Sequence, residues 1–206
     1  MHNEEKVKII YYIICAVMAV FFLIPFVWMV LTAFTKATFV MKIFPHSDWT
    51  LANIAYVWQQ VPFPTYYKNT ITIVVCTYLI QFITITFAAY ALACLKFKGK
   101  RFVFLIIFIQ MIIPNDILIM PNFMTVSDLH LGDTKLAIMI PFLGSAMGTF
   151  LLRQHFKTIP SALSDAATID GCNTLQIIRH VYIPNARTAY ISFGLISVSY
   201  HWNNFL

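Results

Sequence analysis

The chain has 206 residues, of which 60% are hydrophobic and 11% charged, with a formal net charge of +6 and a mean hydropathy of +0.76. Soluble domains carry about 45–50% apolar and about 25% charged residues, so this composition excludes an ordinary soluble enzyme or binding domain and indicates an integral membrane protein. In such a chain the excess of basic residues has a topogenic cause rather than a nucleic-acid partner.

Spans are placed where charge disappears for close to the ~20 residues a helix needs to cross a ~30 Å hydrocarbon core. In chain order they run from about Ile9 to Leu31, Tyr67 to Leu95, Phe102 to Met120, Leu136 to Leu152, and Thr188 to Tyr200. The first is read as a retained helix rather than a signal peptide. Its apolar core exceeds the 7–15 residues of a typical signal h-region and lacks a small-x-small cleavage site. The fifth is short and flecked with Ser192, Ser197 and Ser199. The fold class is therefore all-α, a polytopic helical membrane protein with about five transmembrane helices in a single domain, 1–206.

Ten of the fourteen Lys and Arg residues lie on one set of loops: Lys6, Lys8, Lys96, Lys98, Lys100, Arg101, Arg153, Lys157, Arg179 and Arg187. The positive-inside rule puts that set, and with it the N-terminus, in the cytoplasm. Cys15, Cys76, Cys94 and Cys172 are far apart and form no C-x-x-C pair, so neither a disulfide framework nor a zinc site is indicated. The six histidines are equally scattered, and His180 and His201 read as residues at helix ends or interfaces. No nucleophile, base and orienting group converge, and no phosphate loop is present, so no catalytic residue, metal ligand or cofactor site is assigned.

Asp116 in "MIIPNDILIMP" would be a functional candidate, such as a relay, inside a span, but Pro114 and Pro121 bracket it, which predicts a broken helix near the outer interface and favours a helix-ending role. Gln81 and Gln110 sit deeper and serve either a polar path or hydrogen bonds between helices. Tyr78 and Tyr90 are further candidates for the path of a polar substrate, against the alternative of packing or interface anchoring.

The cytoplasmic stretch "IPSALSDAATIDGCNTLQIIRHVYIP" (residues 159–184) is polar for a chain so apolar. From Pro160 a helix is predicted with Leu163, Ala166, Ala167 and Asp170 on one face, small enough to admit another surface. Gly171 fits the C′ position, where a left-handed conformation is needed. Asp170 opposes the dipole of a helix C-terminus, so its expected use is to accept from free N–H groups at the start of the next helix. Asn173 or Thr174 caps that second helix. Leu175, Ile178 and Val181 form its apolar stripe, and Pro184 ends it. The product is a rigid two-helix element over 157–185, anchored by the stripe to other cytoplasmic helix ends.

This stretch resembles the EAA loop of the permease subunits of bacterial binding-protein-dependent ABC importers, roughly E-A-A-x-x-D-G, about nine residues, then I-x-L-P. Ala166, Ala167, Asp170, Gly171 and Ile183–Pro184 fall in register. "FFLIPFVWMVLTAF", "DWTLANIAYVW", "YYKNTITIVV", "AAYALACLKFKGKR", "MIIPNDILIMP", "LHLGDTKLAIMIP" and "YHWNNFL" follow the order of landmarks in the maltose- and glycerol-phosphate-type sugar permeases, of the second-permease kind. The resemblance implies a type I ABC importer permease fold in the bacterial plasma (inner) membrane, and import of a sugar, oligosaccharide or polyol phosphate by alternating access. Its implied partners are an ABC ATPase in two copies, a companion permease forming a heterodimer, and an extracellular solute-binding protein. Any ATP and Mg would be bound by the ATPase, and this chain would be no enzyme. It makes Leu163, Asp165, Ala166, Ala167, Asp170, Gly171 and Pro184 the residues of ATPase docking and coupling, with the solute-binding protein landing on 32–66 and the loop 122–134.

The sequence departs from the pattern in three places. The usual loop Glu is Asp165, one methylene shorter. A small residue after the glycine is replaced by Cys172, and a proline beyond the motif is replaced around Thr188. Family members also continue beyond Leu206 through one more span, so a sixth, C-terminal transmembrane helix is expected. Import of a non-sugar solute by the same machinery is the alternative, followed by an ion-coupled secondary transporter.

Overall fold

The computed structural model describes residues 2–36 and 49–203. Among these the secondary structure is helical apart from an isolated bridge between Thr35 and Trp49. Two compact units meet in sequence at Thr65.

In the first unit, α1 (His2–Ala33) contains the expected first span and carries Pro25 in its interior. Residues 5–30 are exposed on every side. An apolar helix with no polar face has no stable place in water, and its surroundings must be lipid or other helices. Beyond it Asn53 Nδ2 donates to the carbonyls of Ala33 (3.2 Å) and Thr35 (2.7 Å), tying α2 (Ala52–Gln60) to the end of α1. The part of the expected docking region 32–66 that spans 37–48 lies outside the described residues, as do Asn204–Leu206 of "YHWNNFL".

The second unit is organised by α3 (Phe63–Ala93), whose 31 residues reach about 46 Å at 1.5 Å per residue. Val74, Thr77, Gln81, Ile85, Thr86, Ala89, Tyr90 and Leu92 are its buried face. Lys100 Nζ donates to the last carbonyls of this helix region, Ala93 (3.1 Å) and Leu95 (2.8 Å). One basic residue of the hinge thus satisfies orphan acceptors at a helix C-terminus.

The third and fourth expected spans are both broken. α4 (Lys100–Gln110) gives way to a 3-10 turn at Asn115–Leu118 and then to α5 (Ile119–Asp128), bent by 94°. Pro114, extended at the N-cap of that turn, stops the helix as its missing N–H requires, while Pro121 sits inside the first turn of α5 where proline is tolerated. The segment 122–134, expected as a loop, is therefore helical through Asp128. α6 (Lys135–Met139) and a 3-10 turn at Ile140–Phe142 are followed, after a 44° bend, by α7 (Ala146–Thr158). Ser145 Oγ caps α7 by accepting from Gly148 N–H at 3.1 Å.

The fifth expected span is α11 (Arg187–Asn203), 17 residues or about 25 Å, short of a full hydrocarbon core. α11 packs on α7 where side chains are smallest. A Cβ built on Gly148 would lie 2.7 Å from Phe193 Cε2, so glycine is what lets the ring seat there. The apolar core joins Ile85, Ala89 and Tyr90 of α3, Leu152 and Phe156 of α7, and Ala189, Tyr190 and Phe193 of α11 to the polar stretch that follows α7.

Candidate coupling element and polar cavity

Residues 159–186 fold as α8 (Ser161–Ile169), a turn, and a second helical arm made of α9 (Thr174–Ile177), a π-helical turn at Ile178–Tyr182, and α10 (Ile183–Asn185). Gly171 has φ +82°. Its N–H donates to the Thr168 carbonyl at 3.0 Å, and Cys172 N–H donates to the Ala167 carbonyl at 2.9 Å. These are the paired bonds of a Schellman motif with Gly171 at C′.

The second arm is closed by a reciprocal cap. Asn173 Oδ1 accepts from Gln176 N–H at 3.0 Å, and Gln176 Oε1 accepts from Asn173 N–H at 2.8 Å. That box satisfies two orphan donors, and it performs the function expected of Asp170. The Asp170 side chain is exposed and makes no such bond. Pro184 does not end the arm either. It brings no N–H to the His180 carbonyl, the chain widens into a π turn just before it, and helix continues to Asn185 and almost directly into α11.

Packing decides which faces remain open. Ile177, Ile178 and Tyr182 are buried and Val181 is partly so, whereas Leu175, expected in the same stripe, is 60% exposed. Tyr182 is the joint of the element. Its ring meets Tyr90 of α3 (centroids 5.2 Å) and Phe156 of α7 (5.0 Å) edge-on, and its hydroxyl lies 2.8 Å from Ser164 Oγ of α8. Burial, with a side-chain contact from Cys94, pushes the Tyr182 phenol up to about 12. The sequence reading missed this residue. Its spacing of four from Ile178 was the available signal, but only the fold shows three elements meeting on it.

α8 turns Ser164 and Ala167 inward and leaves the rest of its length open. Ala167 packs against the core, so it does not share the free face with Leu163, Ala166 and Asp170. That face gains Ile169, 87% exposed, and Leu175 across the turn. Asp165 is exposed beside them. An apolar rim flanked by the carboxylates of Asp165 and Asp170, held on a doubly capped element, is suited to receive another protein surface.

The second feature is a cavity of about 710 Å³ walled by the two broken spans, α3 and α11. Gln81 and Gln110 line it. Tyr78 and Tyr90 do not: Tyr78 stacks on Phe193 and its hydroxyl reaches the Tyr190 carbonyl at 3.3 Å, while Tyr90 belongs to the Tyr182 cluster. Gln81 is itself committed. Its Nε2 donates to the Phe142 carbonyl (2.6 Å) and lies 3.3 Å from His201 Nε2, and its Oε1 accepts from Ser197 Oγ (2.6 Å). The amide thereby joins α3, the turn before α7, and α11. Because the Phe142 carbonyl fixes which amide atom is nitrogen, His201 Nε2 must accept, which places the ring proton on Nδ1. His201 is thus an interface residue, as its sequence position suggested. No group of three or more metal-ligating side chains occurs among the described residues.

Residues 81–206, which include the cavity wall and the whole coupling element, match the family described as binding-protein-dependent transport system inner membrane component. The chain is 29% identical over 199 residues to the lactose transport system permease protein LacG of Rhizobium radiobacter, covering 96% of this chain and 73% of that protein. It is 30% identical over 188 residues to the arabinooligosaccharides transport system permease protein AraQ of Halalkalibacterium halodurans, covering 88% and 67%. A crystal structure of a bacterial ABC transporter involved in the import of the acidic polysaccharide alginate superposes with a TM-score of 0.87 at 27% identity, covering 99% of this chain and 73% of that one. With its helical spans, its type I importer architecture and this match over more than half its length, the chain belongs to the binding-protein-dependent transport system inner membrane component family, as a transmembrane permease of an ABC importer.

Proposed function

We propose that this permease imports a saccharide, and that residues 157–185 dock the ATPase that energises it. The observation that carries the docking reading is the apolar rim of Leu163, Ala166, Ile169 and Leu175, exposed on an element that is capped at its turn and anchored through Tyr182 to α3 and α7. Such an element moves as one packed body, so displacement by a partner passes to the helices walling the cavity instead of being absorbed. Asp165 is free to meet a cation on the partner, Asp170 stands at the C-cap of the first arm, and Pro184 follows the π turn within the second.

In this reading two ATPase copies bind ATP and Mg, and a companion permease completes the translocation path. An extracellular binding protein delivers the solute, and the cavity alternates between the two sides of the membrane. The N-terminus, Lys6, Lys8 and the hinge 96–101 are cytoplasmic. The saccharide assignment is supported by the relatives, which serve lactose, arabinooligosaccharides and alginate.

The test is co-purification with the companion permease and ATPase, followed by ATP hydrolysis in proteoliposomes with loaded binding protein. Ala166→Glu and Ile169→Glu should each insert normally and lose both association and stimulated hydrolysis. Ala166 is the informative site because Ala167 is packed inward, where a charge would damage the fold itself. Solute uptake by the permease with no ATPase present would replace this reading with ion-coupled transport.

A further inference from the structure

The cavity holds no Lys or Arg among the residues that line it, and Asp116 is its one carboxylate. Asp116 is exposed to that space, on the 3-10 turn where the third span breaks. Gln110, Asn115 and Asn122 line the same wall, and none of these four side chains has a hydrogen-bond partner among the described residues. Gln81, by contrast, has both ends of its amide occupied. Phe123 is 69% exposed beside them. His201 adds no positive charge, since its Nε2 must accept from Gln81.

Free amides donate and accept, a carboxylate accepts from hydroxyls, and an exposed aromatic face covers the apolar side of a ring. An anion, however, would approach Asp116 with no compensating cation on this wall. We propose that this half of the translocation cavity is built for uncharged saccharides and selects against acidic ones, with Asp116 the specificity-determining residue and Gln110, Asn115 and Asn122 the hydroxyl contacts. The proposal deepens the saccharide reading and rests on it. It also separates this chain from its structural neighbour, which handles an acidic polysaccharide.

Two like charges about 5 Å apart at a protein-surface dielectric repel enough to cost roughly a hundredfold in affinity, and screening by salt reduces this to at least about tenfold. The experiment uses the complete permease pair with its ATPase in nanodiscs, without binding protein, so that only the cavity selects. Binding is titrated with lactose, maltotriose and arabinotriose, and with digalacturonate and trigalacturonate. The neutral saccharides should bind at least about tenfold more tightly than the uronates. Asp116→Asn should close most of that gap and Asp116→Lys should reverse it, both with the ATPase still associated.

Uronates binding as well as neutral saccharides to the wild type overturn the proposal, as does a gap unchanged in Asp116→Asn. If neither class binds, and binding protein loaded with a saccharide does not stimulate hydrolysis by the assembly either, the saccharide reading itself fails, and this proposal falls with it.

Discussion

Replacing Gly171 isolates the contribution of one backbone angle to coupling. Its φ is +82°, and a Cβ built on it meets no atom within 4 Å, so within this chain a side chain there costs conformational strain and no collision. For an L-residue the left-handed conformation costs about 1–2 kcal/mol, more for a β-branched one and less for Asn, whose short polar side chain tolerates it. A loss of that size lowers the ratio of capped to uncapped turn by a factor of about 5–30. The two Schellman bonds, Gly171 to Thr168 and Cys172 to Ala167, depend on the same angle and would open together. Hydrolysis stimulated by loaded binding protein, normalised to membrane-inserted permease, should therefore rank Gly171 above Asn, Asn above Ala, and Ala above Val. Wild-type coupling in inserted Gly171→Val would refute the reasoning. So would Asn falling as far as Val, which would mean that bulk at the partner surface matters and backbone angle does not.

Four further outcomes follow from the packing. Tyr182→Phe keeps both ring contacts and loses the bond to Ser164, costing about 1 kcal/mol, whereas Tyr182→Ala should cost about 3–5 kcal/mol in thermal unfolding of the purified permease. Because the Tyr182 phenol is raised from 10.0 to about 12, the folded state keeps it neutral while the unfolded state ionises. Its contribution is complete below pH 10.0 and lost as pH rises toward about 12, so the alkaline unfolding midpoint should move less with pH in Tyr182→Phe. Gly148→Ala forces a methyl to within 2.7 Å of the Phe193 ring and should destabilise by about 1–3 kcal/mol, with recovery in the Gly148→Ala, Phe193→Leu double variant; additive losses would dismiss the contact. Ser197→Ala strands Gln81 Oε1 without its donor and should cost about 1–3 kcal/mol, measured by the same thermal unfolding.

The membrane class, the five stretches that become helices, the interruption at Pro114 and the left-handed turn at Gly171 were all legible from residues close together in the chain. Each rests on a short-range cause: apolar length against bilayer thickness, a missing N–H, a missing Cβ. The cap of the second arm was half legible, because Asn173 and Gln176 stand at the right spacing, yet Asp170 competed for the same role until the backbone bonds decided it. Which side of α8 is free was settled elsewhere. Ala166 and Ala167 are equivalent by composition, and it is the Tyr182 hydroxyl on Ser164, with the core behind it, that turns Ala167 inward. Gln81, Ser197 and His201 likewise meet across separations of 116 and 120 residues, so one amide could be read as a path residue or a tie between helices until the spans were packed. Local sequence specifies where a backbone runs out of hydrogen-bond partners and must turn. Which side chains face one another is set by how whole helices share a limited apolar interface, and that depends on every helix at once.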